Sequence, residues 1–221
     1  MAAMTVSLVN LDGSSAFDDS QQRVESLVAG HNRGRVKEDR FALRVTNTRD
    51  RFEIADELAR PADLIHVMAH GASAGILTQQ RIFNLITMRR YNIRVLKNYW
   101  KYLSVKPMAK CIFLDACTTF TSGWKRLLQE TIPAGESVVF IGTTRKVHFD
   151  ECEAYAELLY NELFTARPAR AGRLTPHHFK TAHSQALVNY KKTEVFGAYH
   201  DVDEPHKSPF RLATIHGTAT Y

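Results

Sequence analysis

Cysteine is scarce in this 221-residue chain: there are three, Cys111, Cys117 and Cys152. That is too few for a disulfide scaffold and reads as reduced thiols in a cytoplasmic, cytosol-like compartment. No apolar run approaches the roughly 18 residues that a membrane span requires, so no membrane association is expected. The opening stretch MAAMTVSLVNLDGSS lacks a basic start and a long apolar segment, so no secretion signal is expected either. Phosphate-cradling glycine loops are missing, because Gly71 and Gly75 fit neither the Walker nor the dinucleotide spacing. A four-ligand metal pattern is missing as well. His148 and Cys152 stand at i,i+4 and His177, His178 and His183 cluster, but neither set completes a site, so no metal and no cofactor are expected. There is no internal repeat, low-complexity tract or splitting linker. A single domain over 1–221 is the expectation.

What is present suits a globular α/β protein. The chain is 44% hydrophobic and 24% charged, enough for a real core. Short apolar runs at Thr5–Asp12, Phe41–Asn47, Leu64–Ala69, CIFLDA and Ser137–Thr143 read as strands. Helical patterns lie at Gln21–Ala29, Phe52–Ala59, Trp124–Glu130, Glu151–Phe164 and His178–Tyr190. Alternation of the two, with strands apolar on both faces, predicts a mainly parallel sheet covered by helices. In such sheets the functional groups gather beyond the carboxyl ends of the strands.

Two runs deliver chemistry at that edge. DLIHVMAHG (Asp63–Gly71) ends in a histidine and a glycine, and CIFLDACTT (Cys111–Thr119) ends around a cysteine. Singly, each is ordinary: a capping or structural histidine, a small core thiol. Together they sit 47 residues apart, His70 before Cys117, close to the roughly 50 that separate the histidine and cysteine of caspases.

These two blocks resemble the signatures of the caspase-like (caspase–hemoglobinase fold) cysteine peptidases, and among them most resemble bacterial CHAT domains. Pro133–Leu163 is similar to that family's next strand, loop and long helix, and Lys207–Gly217 to its closing strand. The likeness runs from about Ala62 onward; Arg145 departs from it, standing where many CHAT sequences carry tryptophan. The resemblance implies a three-layer α/β/α sandwich and a cysteine endopeptidase. Cys117 would be the nucleophile and His70 the general base and then acid, with the backbone N–H groups of Gly71 and Cys117 receiving the oxyanion. A free thiol, with a pKa of about 8.5, is only partly ionised at neutral pH, so a neighbouring imidazole helps form the thiolate.

Asp115 lies two residues before Cys117, and residues two apart on a strand share a face. By resemblance this position lines the pocket for the residue before the cut, and families with Asp there favour Arg or Lys, which a carboxylate holds by charge-assisted hydrogen bonds. The competing reading has Asp115 capping the next helix or ordering a loop. Asp150 is a second acidic candidate for substrate binding, against a plain role as helix N-cap.

The net charge is +6. Ile76 to Leu114 carries eight basic residues and no acidic one. Arg90, Arg94, Lys97 and Lys101 fall on one stripe of a predicted amphipathic helix, which is either a solvated outer face or a docking surface. This supports the alternative: a catalytically silent caspase-fold binding module holding an acidic partner or nucleic acid. The resemblance instead implies a protein substrate and, since such proteases require restraint, a separate activator or sensor protein or an oligomeric assembly, in bacterial antiviral defence or cell death. Thr165–Arg173, rich in arginine, is the expected place for self-cleavage.

Overall fold

The computed structural model describes residues 4–11, 15–48, 51–72, 75–77, 109–166, 174–199 and 207–218. The predicted basic helix from Arg90 to Lys101, and with it the surface that a binding module would use, lies outside the described residues, as does 167–173.

Strands β1 (Met4–Asn10), β2 (Phe41–Asn47), β3 (Leu64–Met68), β6 (Cys111–Asp115), β7 (Ser137–Thr143) and β8 (Phe210–His216) form one sheet in the order β2-β1-β3-β6-β7-β8. The first five are mutually parallel and β8 closes the edge antiparallel to β7. Helices α1 (Ser15–Asn32), α4 (Phe149–Thr165) and α5 (Pro176–Tyr190) cover one face. Helices α2 (Arg51–Ala59) and α3 (Ser122–Thr131) cover the other. A short α6 (Glu194–Tyr199) follows α5. This is the expected three-layer α/β/α sandwich on a mainly parallel sheet.

Alternation along the central strands decides which residues meet which layer. On β3, Leu64 and Met68 join the core under α1, α4 and α5, whereas Ile65 and Val67 join the core under α2 and α3. On β6, Cys111 and Phe113 take the first side and Ile112 and Leu114 the second. The same parity puts His66 and Asp115 on the α1/α4 side. Phe113, Tyr155, Tyr160 and Phe179 are fully buried there. Each such ring contributes roughly 1.5–3 kcal/mol relative to exposure.

One element was not visible as a strand in the sequence. His70–Ala72 (β4) pairs antiparallel with Gly75–Leu77 (β5), His70 opposite Leu77. So β3 does not run on into a loop; after Ala69 the chain enters a separate two-stranded ribbon that carries His70 away from the sheet.

Candidate active site

The carboxyl ends of β3 and β6 are neighbours, with Met68 opposite Asp115. The segments that leave them touch backbone to backbone. A Cβ on Gly71 would lie 2.4 Å from the carbonyl oxygen of Cys117 and 2.7 Å from its nitrogen. No side chain fits that gap, so glycine after His70 is what lets the two segments close on each other.

The Cys117 turn is held firmly. Thr118 sits in the left-handed region at φ 54°, an outlier for a β-branched residue. Its N–H donates to the Arg145 carbonyl (3.0 Å), and the Phe120 N–H to the Thr143 carbonyl (2.8 Å). The buried Thr119 hydroxyl lies 3.2 Å from both the Leu114 and Ala116 carbonyls and accepts the Thr143 N–H at 3.1 Å. The Thr143 hydroxyl donates to the Ala116 carbonyl at 2.6 Å. Strained backbone persists only where its surroundings determine it this fully.

The loop after β7 supplies the opposite wall. The half-buried Cys117 Sγ lies against the Val147 peptide, 3.5 Å from the N–H that donates to it and 3.6 Å from the carbonyl that accepts from it. An N–H aimed at sulfur is a fixed partner for negative charge there. Val147 is itself fixed by Arg145 and Glu151. The guanidinium grips the fully buried carboxylate with two nitrogens, at 2.7 and 3.0 Å, and also donates to the Tyr199 carbonyl at 3.0 Å. The His148 N–H and the Tyr190 hydroxyl add two more bonds to Glu151, both 3.0 Å. Arg145, the departure from the CHAT pattern, is therefore the anchor of the loop that faces Cys117.

His70 is exposed, with its ring edge-on to Phe17 (5.2 Å) and at a steep angle to Phe149 (6.0 Å). Those two phenylalanines, from α1 and α4, are edge-on to each other at 4.8 Å. Such contacts hold a ring in place. His70, Asp115 and Cys117 line one cleft of about 160 Å³, with Phe17, His148 and Cys152 among the other walls.

Asp115 is 5% exposed. Its Oδ2 lies 3.4 Å from Nε2 of the fully buried His66. Its Oδ1 is buried with no hydrogen-bond partner among the described residues. The capping alternative for Asp115 does not hold, because α3 is capped by Thr121, whose side chain accepts from the Trp124 N–H. Asp150 stands apart. It is exposed in the first turn of α4, accepts the Tyr199 hydroxyl at 3.2 Å and is not among the cleft walls. Nor is it the helix cap, a position held by His148.

The chain has no disulfide among its three cysteines. Burial pushes the thiol of Cys111, inside the sheet, far up. Burial and then the charge of Asp115 do the same to Cys152. Both are held as protonated thiols, poor nucleophiles by comparison with a thiolate. His66, Cys152, Phe17 and Phe149 were not singled out for this site from the sequence. For His66 a signal existed: it is the one polar residue inside an otherwise apolar strand.

No protein-family model and no curated protein sequence matches the chain. Solved structures of cysteine proteases share its fold. One is a secreted C11 cysteine protease from Bacteroides thetaiotaomicron, in complex with an irreversible peptide inhibitor, with a TM-score of 0.52 and 13% identity over 91% of this chain. Another is the Arg-specific cysteine proteinase gingipain R, with a TM-score of 0.52 and 14% identity over 86% of this chain. The chain spans 60% and 43% of those two structures' lengths. At these identities the likeness is one of fold. No helix among the described residues is long and apolar enough to cross a membrane.

Proposed function

We propose that the chain is a cysteine endopeptidase that cuts proteins after arginine or lysine. The observation that carries this reading is one small cleft lined by His70, Cys117 and the buried, half-satisfied carboxylate of Asp115. His70 takes the proton from the Cys117 thiol as sulfur attacks the scissile carbonyl. The Gly71 and Cys117 N–H groups receive the oxyanion, each such donor being worth roughly 2.7–4 kcal/mol in measured cases. On collapse the C–N bond breaks, His70 gives its proton to the leaving amine, and a thioester remains on Cys117. Water, deprotonated by His70, hydrolyses the thioester and restores the thiol. Asp115 holds the guanidinium or ammonium of the residue before the cut. The Arg specificity stated for gingipain R supports that preference. Asp150, outside the cleft, is given no part.

On the same reading the enzyme is of the CHAT type, held in check by a separate sensor or by assembly, and serves in bacterial defence or cell death. Self-cleavage after an arginine in 165–173 is one route to activation. Intact mass after long incubation tests it, and an unclipped chain rules it out.

The central test is turnover of fluorogenic peptides ending in Arg, Lys, Asp, Leu or Met, with wild type beside Cys117→Ala. Cleavage of the Arg and Lys peptides that vanishes in Cys117→Ala is the expected result. Cleavage of another peptide keeps the protease and discards the pocket, and cleavage that survives Cys117→Ala discards the nucleophile.

A further inference from the structure

Behind the cleft wall, two buried side chains lead to Asp115 and to nothing else in the proposed chemistry. The His66 ring stacks on Phe113 at 4.4 Å and 19°, which fixes its plane. Its Nδ1 lies 3.2 Å from the Tyr160 hydroxyl and its Nε2 3.4 Å from Asp115 Oδ2. His66 and Tyr160 are both fully buried. The Asp115 carboxylate can only accept, so a hydrogen bond to it puts the ring proton on Nε2. In that tautomer Nδ1 is the acceptor and takes the proton of the Tyr160 hydroxyl. The chain of donors therefore runs one way, from Tyr160 through His66 to Oδ2. It ends there, and Oδ1, itself buried, has no hydrogen-bond partner among the described residues, the Cys152 thiol being the other polar group beside this carboxylate. A buried carboxylate oxygen without a partner is costly unless something comes to it.

We propose that His66 and Tyr160 are positioning residues that fix the Asp115 carboxylate by one oxygen and reserve the other for the basic group of the substrate. This rests on the basic-residue reading of the cleft given above. The ring sets which oxygen is used, its stacking on Phe113 sets the angle, and Tyr160 sets the tautomer. The specificity of the site is thus written partly in β3 and α4, away from the residues that touch substrate.

The test uses full-length protein carrying Cys117→Ala, with agmatine as the guanidinium probe and affinity read by NMR titration. The background protein binds agmatine and Asp115→Asn abolishes binding. His66→Leu and Tyr160→Phe each weaken binding by about tenfold, the loss typical of a hydrogen bond to a charged group. His66→Gln, whose amide N–H reaches toward Oδ2, restores affinity to within about twofold of the background. Undiminished binding by folded Tyr160→Phe and His66→Leu overturns the relay while leaving the pocket intact. So does His66→Gln binding no better than His66→Leu, since the ring would then matter only as packing. If the background does not bind agmatine, or Asp115→Asn binds equally well, the basic pocket itself is wrong. Should His66→Leu fail to fold, Tyr160→Phe decides, because it removes one oxygen and no packing volume.

Discussion

Two buried carboxylates flank the Cys117 turn, and their surroundings differ. Glu151 receives four hydrogen bonds, two from Arg145, one from the His148 backbone and one from Tyr190. Asp115 is approached by one ring nitrogen at 3.4 Å and by the weakly donating Cys152 thiol, and its Oδ1 has no hydrogen-bond partner among the described residues. A buried charge that is saturated in this way is part of the scaffold, for breaking one such pair typically costs about 3–5 kcal/mol. A buried charge left half-satisfied is a cost that the scaffold alone does not explain, and it sits where a cationic ligand could relieve it. A third carboxylate bears this out on the far face of the sheet. Glu57 is met by Ser7, Arg44 and Arg60 at 2.7–3.1 Å and lies nowhere near the cleft.

The contrast is broken most directly by neutralising each carboxylate in turn. Glu151→Gln strips the charge that Arg145 needs, and should lower stability by about 3 kcal/mol or more. In a chain of this size that lowers Tm by about 10 °C. Turnover should fall with it, because Val147 is no longer held against Cys117. Asp115→Asn should leave Tm unchanged or slightly raised, since it removes a charge that the fold does not satisfy, while abolishing the preference for Arg and Lys peptides. Thermal denaturation of the two variants side by side checks this. A large loss in Asp115→Asn with none in Glu151→Gln would reverse the assignment of roles.

A smaller effect comes from a buried base that is not among the cleft walls. His183 Nδ1 is hydrogen-bonded with the Tyr155 hydroxyl at 2.5 Å. Burial first, and then the Arg211 charge, pull its pKa down to about 4. The unfolded chain takes up that proton near pH 6.5, so between 6.5 and 4 the unfolded state binds more protons than the folded one. The stability contributed by neutral His183 is thus complete above about pH 6.5 and is lost as pH falls toward 4. Between pH 7 and pH 5 the expected loss is about 2 kcal/mol. His183→Gln should flatten this part of the denaturation profile. A wild-type profile that is already flat over the window would show that His183 is protonated freely in the fold.

What could be read from the sequence depended on how local the physics was. The five parallel strands of the main sheet were legible as short runs rich in apolar and β-branched residues, and Phe41–Asn47 and Ser137–Thr143 fall where they were expected, whereas the half-exposed edge strand β8 entered only through the family resemblance. Helix α1 starts at Ser15, earlier than its apolar pattern suggests, because its inner face includes buried Ser20 and Gln21, the latter bonded to Asn10. The ribbon at His70 was illegible because strands of three residues carry no periodicity. His70, Gly71 and Cys117 stood out as motifs, and Asp115 through strand parity. Tyr160 bonds His66 across 94 residues and Tyr190 bonds Glu151 across 39. No pattern along the chain encodes such pairings, which follow from how the layers stack.

The smallest effect is the most local and concerns the turn between the two carboxylates. Thr118 holds φ 54° although its β-branched side chain disfavours it. Glycine at this position removes that cost but also adds freedom to the unfolded chain, so Thr118→Gly should change stability by no more than about 1 kcal/mol, in the favourable direction if strain exceeds the entropy term. Activity separates the two consequences. If the bonds from Thr118 N–H, Thr119 and Thr143 are what set the Cys117 backbone, turnover per folded molecule is preserved in Thr118→Gly, because none of them uses the Thr118 side chain. A loss of turnover with unchanged or improved Tm would mean instead that the rigidity of a strained threonine, rather than the bonds around it, keeps the nucleophile aimed.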